Sequence, residues 1–286
     1  MKTYDDCEFS QISNFLNTVP SDIVGDVLVK NSLFHMHIPK TGGTYVKNLL
    51  AEINLLKHYS PGHMKCSENF YFYPDPSDSI PKLGLYQNQE GFKESLRFCV
   101  IRNPFEWLVS FYYHTNNFAD FNQIEQKGVG GVRGMYPNFS RFVEAYCNDK
   151  DFWPLGLKFF RDFFPFQIFD DDGYCKSDLI LKNGMNNELT NAMTTLLLLN
   201  GIDIETIARA HQRLSEKKLY NASSSRPYKD VRRYYKDSEI QLLNFKWQNI
   251  LDVCGYNFNG SSDNKIMISG KNIKYNFDKN IIEKIR

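Results

Sequence analysis

The sequence predicts an α/β domain, and two strand-to-helix junctions predict it. In the first, the apolar segment Leu33 to Ile38 runs through a Gly-containing turn into a helical pattern. In the second, Arg97 to Ile101 runs through Asn103-Pro104 into another helix. The 286 residues suffice for one such domain with a substantial core. No internal repeat and no sharp shift of composition marks a boundary, so residues 1–286 read as a single domain. Its recognisable core covers about 33–258, and 259–286 form a tail of open placement.

Along the first unit, Phe34, Met36 and Ile38 alternate with His35 and His37, the period of a strand. Both histidines are expected to pack within the sheet. Thr44 then opens a helix with Val46, Leu49, Leu50 and Ile53 on one face. From Ser60 to Gly91, Pro61, Pro74, Pro76 and Pro81 break any period, and irregular connection is expected. After the second strand, Asn103 is a good N-cap and Pro104 suits the first helical position. Glu106 stands where a capping box would close. That helix carries Trp107, Leu108, Phe111 and Tyr112. Residues 121–137 are Gly-rich and read as a loop, and 150–170 are dense in aromatics and Pro. Helices are expected over Phe139 to Tyr146, Glu188 to Leu199, Ile204 to Leu214 and Ser238 to Val253, with a further strand over Leu179 to Leu181.

Composition narrows the function. Hydrophobic residues make up 42% and charged residues 23%, the balance of a globular protein. The 23 Phe and 17 Tyr could serve a large core or a stacking surface, with core the first reading. A net charge of +1 gives no field for wrapping nucleic acid, so any anion site must be local. The start after Met1 lacks the pattern of a signal peptide, and the longest aliphatic run, Leu196 to Leu199, is far too short to span a bilayer. The six cysteines are scattered without a CxxC pair, which argues against zinc and for reduced thiols in a cytoplasm. No metal constellation is visible.

The chemistry concentrates in Pro39-Lys40-Thr41-Gly42-Gly43-Thr44. A helix start presents outward N–H groups and the positive end of the helix dipole to an anion. Gly42 and Gly43 let backbone approach a phosphate closely. Thr41 and Thr44 add hydroxyls, and Lys40 adds a charge that can follow a breaking bond. The Walker pattern is absent, because Lys40 precedes the glycines, and this disfavours an ATP-type loop.

The run His37-Ile38-Pro39-Lys40-Thr41-Gly42-Gly43-Thr44 resembles the 5′-phosphosulfate loop of carbohydrate sulfotransferases, notably the heparan sulfate 2-O- and 6-O-sulfotransferases and their bacterial relatives. Val100 to Tyr112, with Arg102-Asn103-Pro104 and Ser110, resembles their 3′-phosphate element. A third, looser likeness covers Leu219 to Tyr228, with its Asn221-x-Ser223 loop, and the later Cys254 to Phe258. The resemblance implies a P-loop NTPase-like fold with a central parallel sheet flanked by helices. It implies 3′-phosphoadenosine 5′-phosphosulfate (PAPS) as donor, adenosine 3′,5′-bisphosphate (PAP) as product, and a hydroxylated acceptor, a saccharide first. Lys40, Thr41, Gly42, Gly43, Thr44, Tyr45, Arg102, Ser110, Ser224 and Arg226 would bind the donor. The catalytic pair would be Lys40 and His63, with His58 and Glu68 as other candidate bases. His63 follows Gly62 as in the acceptor-side segment of the 2-O-sulfotransferases. Protein-tyrosine sulfation is the nearest alternative. A P-loop kinase and a non-catalytic nucleotide binder stand further off.

Overall fold

Short runs of large apolar residues buried on both faces make the central strands β1 (Leu33–Met36), β2 (Leu96–Arg102) and β3 (Leu179–Asn183). That pattern belongs to a sheet covered by helices on each side. The computed structural model describes residues 33–36, 38, 41–53, 96–114, 136, 138–148, 168–170, 172–184, 188–216, 227–261, 267–276, 279 and 281–285. β1 pairs parallel to β2, and β2 parallel to β3, with Met36 beside Cys99 and Arg102 beside Asn183. All three strands therefore end at one carboxyl edge. From that edge the chain enters α1 (Gly43–Glu52) after β1, α2 (Pro104–His114) after β2 and α4 (Glu188–Leu199) after β3. The remaining α-helices among the described residues are α3 (Phe139–Asn148), α5 (Ile204–Glu216) and α6 (Asp237–Cys254).

Strand alternation sends side chains into two cores. On one face, Leu33, Leu96, Phe98, Val100, Leu179 and Leu181 meet the apolar stripes of α1, α4 and α5. His35 packs on this face as expected, its ring stacked 4.9 Å from Phe98. On the other face, Phe34, Met36, Cys99 and Ile101 meet α2, α3 and α6 in a core rich in aromatics. Phe105 alone makes edge contacts with Tyr235, Trp247 and Phe258 at 5.5, 5.3 and 5.0 Å. Among the described residues, most aromatic side chains pack into this core, and Phe245 stands exposed.

The tail, whose placement the sequence leaves open, adds a strand to the central sheet. Met267–Ser269 (β6) joins the central sheet beside β3, and it runs antiparallel, with Leu181 opposite Met267. The sheet is parallel-rich but not wholly parallel, in the order β1-β2-β3-β6. The cause is where α6 stops. Gly255, left-handed at φ 64°, ends that helix at the carboxyl edge, where the buried Lys182 Nζ donates to Gly255 O at 3.2 Å. A cation at a helix carboxyl end is favourably placed. Asn103 Nδ2 also donates to Asn257 O at 2.7 Å. A small ladder, β4 (Tyr256–Asn257) with β5 (Gly260–Ser261), follows there. Chain that starts from the carboxyl edge can only cross the sheet backwards. Beyond β6, the hairpin β7 (Ile273–Asn276) and β8 (Ile281–Lys284) packs on α6, where Asn249 exchanges two hydrogen bonds with Ile282.

Candidate functional site

The loop after β1 is shaped by its own polar groups. Thr41 is buried, and its hydroxyl donates to Ile38 O at 2.6 Å. It was expected to face an anion, but its proton is used inside the turn. Asn183, the last residue of β3, donates through Nδ2 to Thr41 O at 2.6 Å. This one side chain ties the loop after β1 to the far strand, over the end of β2. Gly42 then takes φ 117°, a conformation that L side chains rarely adopt. A β-carbon there would lie 2.7 Å from Leu189 Cδ2 and 2.8 Å from Asn183 Nδ2. Glycine is required on both counts.

α1 begins at Gly43, one residue earlier than the sequence pattern indicates, with Gly42 as a cap that carries no side chain and no acidic residue in the first turn. This is the open, electropositive helix start that an anion fits. Thr44 is exposed beside it. Tyr45 is turned the other way. Its hydroxyl donates to Thr190 Oγ1 at 3.3 Å and lies 3.0 Å from His211 Nδ1, while His211 Nε2 lies 3.0 Å from Thr194 Oγ1. Any contact of Tyr45 with a ligand would come from its backbone N–H. Burial holds the His211 imidazole below its usual pKa, which favours the neutral ring between α1, α4 and α5.

The second junction is built differently. Asn103 is buried and caps α2, its Oδ1 accepting from Phe105 N at 3.0 Å. Its amide also bonds Asn257 O and Gly260 O. Glu106 does not close the expected capping box. Its Oε2 accepts instead from Arg102 Nε at 3.0 Å. Ser110 is buried one turn beyond Glu106 on the same helix, and its hydroxyl has no hydrogen-bond partner among the described residues. Nearby, burial pushes the Tyr256 phenol well above its usual pKa, and Cys254, Glu188 and Glu106 push it the same way.

The structure thus brings Thr41, Gly42, Gly43 and Arg102 to one sheet edge, through the Asn183 amide and the Arg102–Asn183 register. Adjacent strands lie about 4.8 Å apart. Lys40, His58, His63, Glu68, Ser224 and Arg226 lie outside the described residues. Asn183 escaped the sequence reading, which ended the strand at Leu181. The signal was there, since Asn183-Gly184 ends an apolar strand much as Arg102-Asn103 does.

The family model described as the sulfotransferase family matches residues 26–244, which contain both junctions. The chain belongs to the sulfotransferase family. It is therefore a transferase of sulfuryl groups, in a family that typically draws on PAPS and acts on a hydroxylated acceptor. No curated protein and no solved structure matches the chain significantly. Among the described residues no group of three or more His, Cys, Asp or Glu is placed to hold a metal. No described helix of this sulfotransferase is long and apolar enough to cross a membrane.

Proposed function

We propose that residues 1–286 form one sulfotransferase domain of P-loop NTPase-like architecture, which moves the sulfuryl group of PAPS to a saccharide hydroxyl and leaves PAP. The observation that carries this reading is the meeting, at one sheet edge, of an uncapped Gly42-Gly43 helix start and Arg102, fixed by Asn183. Two separate anion sites suit a donor with phosphate at both ends of an adenosine.

The residues fit that donor. Gly42 turns the loop in a conformation and packing that only glycine allows, and backbone from Thr41 to Tyr45 follows it. This loop takes the 5′-phosphosulfate, with Thr44 adding a hydroxyl. Arg102 and Ser110 take the 3′-phosphate, and Ser224 and Arg226 close over the nucleotide. PAPS supplies an activated sulfuryl group on a phosphate leaving group. His63 accepts the proton of the acceptor hydroxyl as its oxygen bonds to sulfur, and His58 and Glu68 are the other candidates for that role. Lys40 meets the charge that collects on the departing 5′-phosphate. No metal enters this scheme. A reducing cytoplasm suits Cys99, Cys147, Cys175 and Cys254, all free thiols.

Calorimetry with PAP against ATP tests the donor, and PAP is expected to bind at least tenfold more tightly. Transfer of labelled sulfate from PAPS to a panel of saccharides and tyrosine peptides tests the reaction. Binding of ATP in preference to PAP would overturn the donor assignment. Labelling of peptides alone would overturn the saccharide. His63→Ala should abolish transfer and leave PAP affinity nearly intact; wild-type turnover in that variant would remove His63 from the mechanism.

A further inference from the structure

Glu106 has no role in the scheme above, yet it holds the residue assigned to the 3′-phosphate. The contact joins Arg102 Nε to Glu106 Oε2 at 3.0 Å, with the two side chains only 21% and 14% exposed. It engages Nε alone. The Nη groups of Arg102 have no hydrogen-bond partner among the described residues. A guanidinium is a rigid planar fork, so fixing its Nε edge also fixes where the Nη groups lie.

The helix then sets the direction. Glu106 and Ser110 are four residues apart on α2 and share one face, about 6 Å apart along the axis. Arg102 leaves the end of β2, and without Glu106 its side chain would be free to sweep the sheet edge. Paired with Glu106, the guanidinium sits on the stripe that carries Ser110. That hydroxyl is 6% exposed at the residue level and has no hydrogen-bond partner among the described residues. A guanidinium held at Glu106 and a hydroxyl one turn further along α2 can bracket a tetrahedral anion. Glu106 also stands in the first turn of α2, where the helix dipole favours a carboxylate.

We infer that Glu106 is a positioning residue for the donor: it aims Arg102 at Ser110 so that the two grip the 3′-phosphate. This rests on the donor reading above. Glu106 touches no phosphate itself. Its carboxylate lowers the local positive charge, so its net benefit to binding is orientation, which repulsion would oppose.

The test compares two ligands on four proteins. Calorimetry measures PAP and adenosine 5′-phosphate, which lacks the 3′-phosphate, on wild type, Glu106→Ala, Arg102→Ala and the double variant. Glu106→Ala should weaken PAP roughly tenfold, the scale of one charge-assisted hydrogen bond, and leave adenosine 5′-phosphate unchanged. In the Arg102→Ala background it should add nothing. Glu106→Gln, which keeps the volume and an accepting oxygen, should recover part of the loss, and it carries the test if the alanine variant does not fold. Unchanged or tighter PAP binding in both Glu106 variants, with Arg102→Ala still weakening it, overturns the role of Glu106 alone. Equal loss of both ligands in Glu106→Gln also overturns it, since that marks a purely structural effect. Unchanged PAP affinity in Arg102→Ala instead removes the 3′-phosphate site, and the inference with it.

Discussion

The two strand-to-helix junctions solve the same local problem in opposite ways. After β1, the helix start is left open: Gly42 has no side chain to cap it, and no acid occupies the first turn. After β2, the start is closed: Asn103 caps Phe105 N, Pro104 has no N–H to offer, and Glu106 fills the first turn. The first junction can meet an anion with backbone and dipole. The second has committed those groups to its own stability and can offer only side chains, Arg102 and Ser110. An anion site made of backbone is rigid and depends on the fold around it. One made of side chains depends on what aims them.

This contrast sorts the expected effects of substitution. The largest belongs to the open junction. Lys40→Ala should lower kcat by about a hundredfold or more, the scale of a lost electrostatic contact in the transition state, and raise the donor KM as well. A change in KM alone would make Lys40 a mere anchor, and the two junctions would differ less than proposed. Gly42→Ala comes next. Its β-carbon meets Leu189 and Asn183 inside 3.0 Å and must accept φ 117°, so PAP affinity should fall more than tenfold, at a stability cost of about 1–3 kcal/mol. Near-normal binding by calorimetry would show that the loop need not hold this shape.

The two asparagines sharpen the comparison further. Asn103→Ala should cost about 1–2 kcal/mol of stability, through the lost cap and the released Asn257 and Gly260 carbonyls, and appear as a lower Tm. Asn183→Ala should cost less stability but raise the donor KM severalfold, because it frees the Thr41 carbonyl and lets the open loop drift. The reverse pattern would exchange their roles.

The smallest effect is a pH dependence behind the first loop. Burial depresses the His211 pKa, so the folded state binds fewer protons there than the unfolded chain. The neutral ring's contribution is full above the unfolded pKa of about 6.5 and is lost as pH falls through the depressed folded value. His211→Gln should therefore lose less Tm between pH 7.5 and 5.5 than wild type does. An unchanged slope would mean that His211 titrates as it does in the unfolded chain.

Much of this was legible in the sequence, and the rest was not for definite reasons. The two junctions could be read because strand, turn and helix lie within a few residues of each other. Asn103 as a cap was visible for the same reason. Glu106 had two local partners within reach, the cap backbone and Arg102, and only the direction of the Arg102 side chain decides between them. Thr41 was read as facing outward, whereas the turn presents the Ile38 carbonyl to its hydroxyl. The antiparallel β6 could not be read at all. It has three residues, and its partner lies far back along the chain. Its direction follows from where α6 stops, which depends on Lys182 and Asn103.

That last strand bears on how the protein comes into being. During synthesis β3 emerges long before β6, so one flank of β3 stays without its final neighbour until the chain past residue 269 has left the ribosome. β3 carries Asn183, and an unpaired strand edge invites the wrong partner. The loop after β1 is therefore made well before the strand that completes the sheet beside β3. Stalled or clipped chains ending before β6 should contain the whole region that matches the family, residues 26–244, and still be prone to aggregate.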